Sequence, residues 1–189
     1  MRALLFLGIA AWLSVAQGAE VAGVTLPERI RVDAGGPELV LNGAGLRTRF
    51  FLNVYAAGLY LEQKSATPAA VLALAGPKRV TMHLLRDLSA QQILEAVHDG
   101  IDANNSPAER ENLKPQLGAF DEVMGQLGPL KKNDVVTLDY LPGSGTVVTL
   151  NGLAKGKAIA GVPLYLALLR VWLGDDPVQE DLKRKLLGQ

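Results

Sequence analysis

The chain has 189 residues, with 19 basic and 19 acidic side chains, two histidines and no cysteine. That balance offers no basic surplus for nucleic acid, and the missing cysteine excludes a disulfide framework, a thiolate metal site and a cysteine nucleophile. With 49% hydrophobic residues, a chain of this length is expected to build one domain around one core.

At the N-terminus, Arg2 precedes an apolar run from Ala3 to Val15 that contains Leu4, Leu5, Phe6, Leu7, Ile9, Trp12 and Leu13. A bilayer-spanning helix takes roughly 20 apolar residues, so the run is short for an anchor and reads as the apolar segment of a secretory signal. Ala16 and Gly18 are small residues at the minus-three and minus-one positions, which places cleavage before Ala19. Residues 1–18 are therefore expected to be a signal peptide and residues 19–189 a single periplasmic domain with no transmembrane segment. Its length would be 189 − 18 = 171 residues.

Val21, Val24 and Leu26, then Ile30 and Val32 alternating with Arg29, Arg31 and Asp33, predict short strands before the Gly35-Gly36 break. Glu38 to Leu41 reads as a strand, Gly43-Ala44-Gly45 as a turn, and Leu46 to Leu61 as one or two further strands. Thr67-Pro68 opens a short helix that Gly76 stops. Val80, Met82 and Leu84 then alternate with Arg79, Thr81 and His83 as a half-buried strand does. Ser89 caps a helix with Ile93, Leu94, Val97 and Ile101 on one face, and Ser106-Pro107-Ala108-Glu109 is a capping box for another, which Pro115 is expected to kink or divide. Val135 to Leu141 and Thr146 to Leu150 form a hairpin around Pro142-Gly143-Ser144-Gly145, and Asn151-Gly152 turns into a third strand, Leu153 to Ile159. Pro163 to Leu173 is apolar nearly all round, apart from Arg170, and so is a buried helix: a sheet cover, a wall of a ligand tunnel, or both. Pro177 is expected to start a last helix with Leu182, Leu186 and Leu187 inward. The order indicates an α+β fold with helices on one face of a sheet.

Other chemistry has little support. His83 and His98 stand on different elements and make no metal motif; His83 reads as a sheet-surface residue and His98-Asp99 as a solvated pair. No Gly-x-Ser-x-Gly elbow or phosphate loop occurs. Asn104-Asn105 reads as a helix-ending turn or a polar lip, and Lys131-Lys132 as a solvated loop. No metal or cofactor is expected, and catalytic residues cannot be assigned.

Leu41-Asn42-Gly43-Ala44-Gly45-Leu46-Arg47 followed by Tyr55-Ala56-Ala57-Gly58-Leu59-Tyr60-Leu61-Glu62 resembles the opening strands of the chalcone isomerase-like family. Trp172-Leu173-Gly174-Asp175-Asp176-Pro177-Val178 with Asp181-Leu182-Lys183-Arg184 resembles its closing helices. The resemblance is greatest to bacterial secreted members, and it implies an open-faced fold, a large antiparallel sheet covered by helices with an apolar cleft between. It places Arg47 at the family's ligand-facing arginine, where a guanidinium can fork onto a carboxylate or polarise a ketone. Tyr55 falls where plant isomerases carry threonine and fatty-acid binders tyrosine. In an unbroken strand the two would stand roughly 26 Å apart, so a turn or bulge near Phe50 to Asn53 is required. Arg49 is expected to point to solvent. At the positions of the isomerase tyrosine and asparagine the chain has Gln92 and Asp99, and at the specificity hydroxyl Val171. None of these supplies the isomerase hydrogen bonds.

The preferred expectation is thus a non-catalytic binder of a fatty acid or other amphipathic apolar acid held by Arg47 and Tyr55, with Ala56, Ala57, Gly58, Ala158 and Gly161 leaving space for it. Two alternatives stay open: an intramolecular lyase of the chalcone isomerase type, in which Arg47 stabilises an enolate, and a periplasmic accessory or assembly protein with a filled cleft. No protein partner is identified.

Overall fold

The computed structural model describes residues 18–32 and 35–189. The expected leader therefore lies outside the described residues apart from Gly18, as does Asp33. A short hairpin of β1 (Ala19–Val21) and β2 (Val24–Leu26) comes first, then β3 (Arg29–Arg31), β4 (Glu38–Arg49) and β5 (Leu52–Leu61). Helix α1 (Pro68–Ala73), β6 (Lys78–Leu84) and β7 (Leu88–Ser89) lead into α2 (Ala90–Asn104) and α3 (Pro107–Gly125). Next come β8 (Pro129–Leu130), β9 (Val135–Leu141), β10 (Gly145–Leu150) and β11 (Leu153–Ile159), then α4 (Pro163–Leu173) and α5 (Glu180–Leu186). Seven strands form one antiparallel sheet in the order β11-β10-β9-β6-β5-β4-β3. Helices cover one face of it, the α+β architecture that the element order predicts.

The main core lies between that face and the helices. Leu59, Val80, Met82 and Val136 meet α4, whose residues are buried except for Pro163 and the partly exposed Leu166 and Arg170. Arg170 reaches out to Asn105 Oδ1 at 2.6 Å and Glu109 at 3.2 Å, which satisfies the one cation on an otherwise apolar helix. A smaller core on the opposite face, Leu26, Leu39, Leu41 and Tyr60, lies under the β1–β2 hairpin. The helix starts follow their caps: Thr67 accepts from Ala70, Ser89 and Gln92 form a reciprocal box, and so do Ser106 and Glu109.

Gly43-Ala44-Gly45 is not a turn. It lies inside β4, and its glycines admit a helix: a Cβ on Gly43 would come 2.1 Å from the Lys185 carbonyl oxygen, and one on Gly45 2.9 Å from the Leu182 side chain. The run also contains a bulge. Leu41 pairs with Tyr60 but Gly43 with Leu59, so Asn42 is the unpaired residue and the strand changes face there. Leu39 and Leu41 point into the smaller core, whereas Gly43, Gly45 and Arg47 point with Leu59, Ala57 and Tyr55 toward the helices. Asn42 holds the bulge with three bonds: its Oδ1 accepts from Ser65 N (2.6 Å), and its Nδ2 donates to Ser65 O (3.0 Å) and Leu186 O (2.7 Å).

Pro115 does not divide α3, which runs through it. Both Pro115 and Glu111, the residue whose carbonyl loses its helical partner, are exposed, so that carbonyl faces solvent and is not buried without a partner. The last helix starts at Glu180 rather than Pro177, after Gln179. His98 is not paired with Asp99; its Nε2 lies 2.8 Å from Asp121 Oδ1 of α3. Asn104 ties the end of α2 to the loop after α4, with its Oδ1 accepting from Asp176 N and its Nδ2 donating to Asp176 O.

Candidate functional site

At one end of the sheet, between β4, β5 and β6 and helix α2, a cleft of about 150 Å³ remains. Its floor is Arg47, Val54, Tyr55 and Met82; α2 contributes Gln92, Ile93, Ala96 and Val97; the C-terminal end of α4 contributes Val171 and Trp172. Arg49, Phe50, Leu52, Arg86 and Leu88 form its lip, and Val178 closes one side. Helix α4 is thus both core cover and cleft wall. The small residues expected to make the space do not line it: Ala56 and Ala57 are fully buried within the packed sheet, Gly58 sits under Tyr60 and Leu41, and Ala158 and Gly161 are exposed elsewhere. The space lies instead between the ends of β4, β5 and β6 and helix α2.

Phe50 and Phe51 make the two-residue turn that brings Arg47 back opposite Tyr55. Arg49 pairs with Leu52, both turn residues have positive φ (48° and 64°), and a second bulge at Val54 sets Arg47 directly across from Tyr55. Directly paired residues have Cβ atoms about 4.5–5.5 Å apart, in place of the 26 Å of an unbroken strand.

The donors of the cleft are then fixed by their neighbours. Trp172 Nε1, which can only donate, gives its hydrogen to the Tyr55 hydroxyl oxygen at 2.9 Å. The Tyr55 proton is thereby turned away from Trp172. Burial pushes the Tyr55 hydroxyl pKa up, against the opposing pull of the Trp172 bond and the Arg47 charge, so it stays protonated at neutral pH. Arg47 is half-buried; its Nη1 donates to the Thr48 carbonyl at 2.9 Å and to Gln179 Oε1 at 3.3 Å. Both bonds use Nη1, which leaves Nε and Nη2 for a ligand, and no carboxylate lies within ion-pair distance of Arg47 among the described residues.

Gln179 is a positioning residue that sequence reasoning missed. β3 covers only the beginning of β4, and the amide of Gln179 completes the bare edge farther on: its Oε1 accepts from Thr48 N at 2.9 Å, and its Nε2 donates to Leu46 O at 3.1 Å. A polar residue between Val178 and Glu180 carried no local signal of that contact. Gln92 lines the cleft, but its Oε1 accepts from Ser89 N at 3.0 Å; Asp99 is exposed and outside the cleft. The cleft is therefore an apolar slot with convergent donors and no acidic side chain among its lining. Such a site suits an anionic or carbonyl oxygen on an apolar body.

A family model described as chalcone isomerase-like matches residues 18–188. Among solved structures, the crystal structure of a fatty-acid binding protein from Arabidopsis thaliana is similar over 87% of this chain and 92% of that one, with a TM-score of 0.59 at 15% identity. At that identity the likeness concerns the fold. No curated protein sequence matches.

Proposed function

The chain belongs to the chalcone isomerase-like family, and from that premise we propose that it binds a small amphipathic acid without transforming it. The observation that carries this reading is the pairing of unspent donors on Arg47 and Tyr55 with apolar walls and, among the described residues, no carboxylate to neutralise the cation. A guanidinium in an apolar setting costs free energy unless an anion meets it. A carboxylate accepts from both donors, while its tail lies along Val54, Met82, Val97 and Val171. The fold neighbour from Arabidopsis is a fatty-acid binding protein, which makes fatty acids the first class to try. An engineered cavity of about 150 Å³ takes benzene, so the cleft suits a short or medium tail. Isothermal titration with octanoate is expected to show one-to-one binding; heat of dilution alone would reject the proposal.

The isomerase alternative would use Arg47 and Tyr55 to polarise a ketone. No residue in the cleft then serves as base: Gln92 is spent in its capping box, Val171 has no hydroxyl, and Asp99 is outside. The purified protein is expected not to accelerate chalcone cyclisation. Turnover that vanishes in Arg47→Ala would instead establish the lyase reading. The third alternative requires a filled interior beside Arg47, where the cleft is open.

The periplasm is the proposed site of action. Protein recovered from that compartment should begin at Ala19 or within one or two residues of it, as read by intact mass. Membrane-bound material that retains Met1 would refute the assignment.

A further inference from the structure

We propose that the β4–β5 hairpin tip docks on a lipid bilayer with anionic headgroups and seats the cleft mouth on it. The tip is Phe50-Phe51, with Phe50 81% exposed, Phe51 fully exposed, and Leu52 beside them 53% exposed. Both phenylalanines sit at positive φ, a conformation that bulky side chains resist. Turn geometry alone does not call for them. The β10–β11 hairpin of the same chain makes a two-residue turn with φ of 52° and 79° from Asn151 and Gly152, the residue types such turns favour. At the cleft lip the chain instead places two bulky aromatic residues, where both the backbone conformation and the exposure of the rings weigh against it. A partner that buries the rings offsets both.

The charges around the tip indicate which partner. Arg49 holds its guanidinium 5.4 Å from the Phe50 ring centroid, and Arg86 lies on the same lip, carried there by the Leu85 N to Val54 O bond. Lys131 and Lys132 occupy the adjoining loop, where Lys131 pairs with Asp87. Asp87 accepts from Lys131 Nζ and Lys132 N, and Asp134 from Lys131 N and Asn151 Nδ2. Arg49 and Arg86 at the lip and Lys132 in the adjoining loop make no ion pair among the described residues, which leaves unneutralised cations beside the protruding aromatic tip. A protein partner would need a pocket for two adjacent exposed rings, whereas a bilayer interface takes aromatic rings at headgroup depth and cations just above them. Docking there opens the cleft mouth toward the acyl region. The inference rests on the tip and its charges, and stands whether or not Arg47 holds a carboxylate.

Vesicle flotation tests it. The chain begun at Ala19 is used, so that the apolar run of residues 3–15 does not contribute; every described core residue lies within it. Binding is expected to phosphatidylcholine vesicles enriched in phosphatidylglycerol, and to weaken severalfold when salt rises from about 0.1 M to about 1 M, as the Debye length falls from about 10 Å to about 3 Å. The double variant Phe50→Asn, Phe51→Gly restores favoured turn residues, so it should melt no lower than wild type and bind these vesicles at least tenfold more weakly. In Phe51→Trp, the added indole should shift to the blue on vesicle addition. Equal binding by wild type and the double variant, or no binding by wild type, would overturn the proposal. A dimer in sedimentation velocity that disappears in the double variant would assign the tip to a second copy and overturn it equally.

Discussion

Arg47→Ala should weaken octanoate binding at least tenfold in a calorimetric titration. A charge-assisted hydrogen bond contributes about 1.5–3 kcal/mol, and about 1.4 kcal/mol is a factor of ten in Kd. Arg47 offers its free Nε and Nη2 to a carboxylate, and the variant loses both while leaving the walls intact. Octanol, with the same tail and no charge, should bind wild type and variant nearly alike. Arg49 is exposed as expected from the sequence, but it stands at the lip over Phe50 and so is a poor control. Arg31, exposed on β3 and bonded to the Gly36 carbonyl, is the better one. Equal affinity in wild type and Arg47→Ala would remove Arg47 from the site. Tyr55 is held protonated by burial, so octanoate affinity should stay level from neutral pH up toward the ordinary tyrosine range of about 10.

Asn42→Ala should lower the unfolding free energy by about 3 kcal/mol, and the melting temperature by about 10 °C, since for a chain of this size 1 kcal/mol shifts Tm by about 2–4 °C. The side chain is buried, and its removal deprives the Ser65 N–H, the Ser65 carbonyl and the Leu186 carbonyl of their shared partner. It also releases the bulge that turns Arg47 toward the helices, because a one-residue slip in register reverses every side chain beyond it. Octanoate affinity measured well below the melting transition should therefore fall as well. Asn112→Ala, exposed on α3, should stay within about 0.5 kcal/mol of wild type. An unchanged melting curve for Asn42→Ala would show that something other than this side chain holds the bulge.

Much of the fold is written in local pattern. Alternation gave β6, β9 and β10, the Ser89 and Ser106 caps gave the starts of α2 and α3, and the all-apolar run of Pro163 to Leu173 required a buried helix. These signals are legible because periodicity and capping act within a few residues. The errors share a cause as well. Gly43-Ala44-Gly45 has turn composition, yet its glycines make room for α5, about 140 residues away in the chain, and no local rule contains that contact.

The candidate site divides the same way. The sequence by itself determined that Arg47 and Tyr55 could meet only if the chain reversed between them, a consequence of the fixed rise of a strand. Its residue types also exclude thiol chemistry. Only the tertiary structure decided that the Asn42 bulge sends Arg47 to the helix face, that Trp172 orients the Tyr55 hydroxyl, and that Gln179 completes the bare strand edge. Each of these depends on hydrogen bonds or packing between residues remote in sequence, whose energies exist only once the sheet and helices have come together.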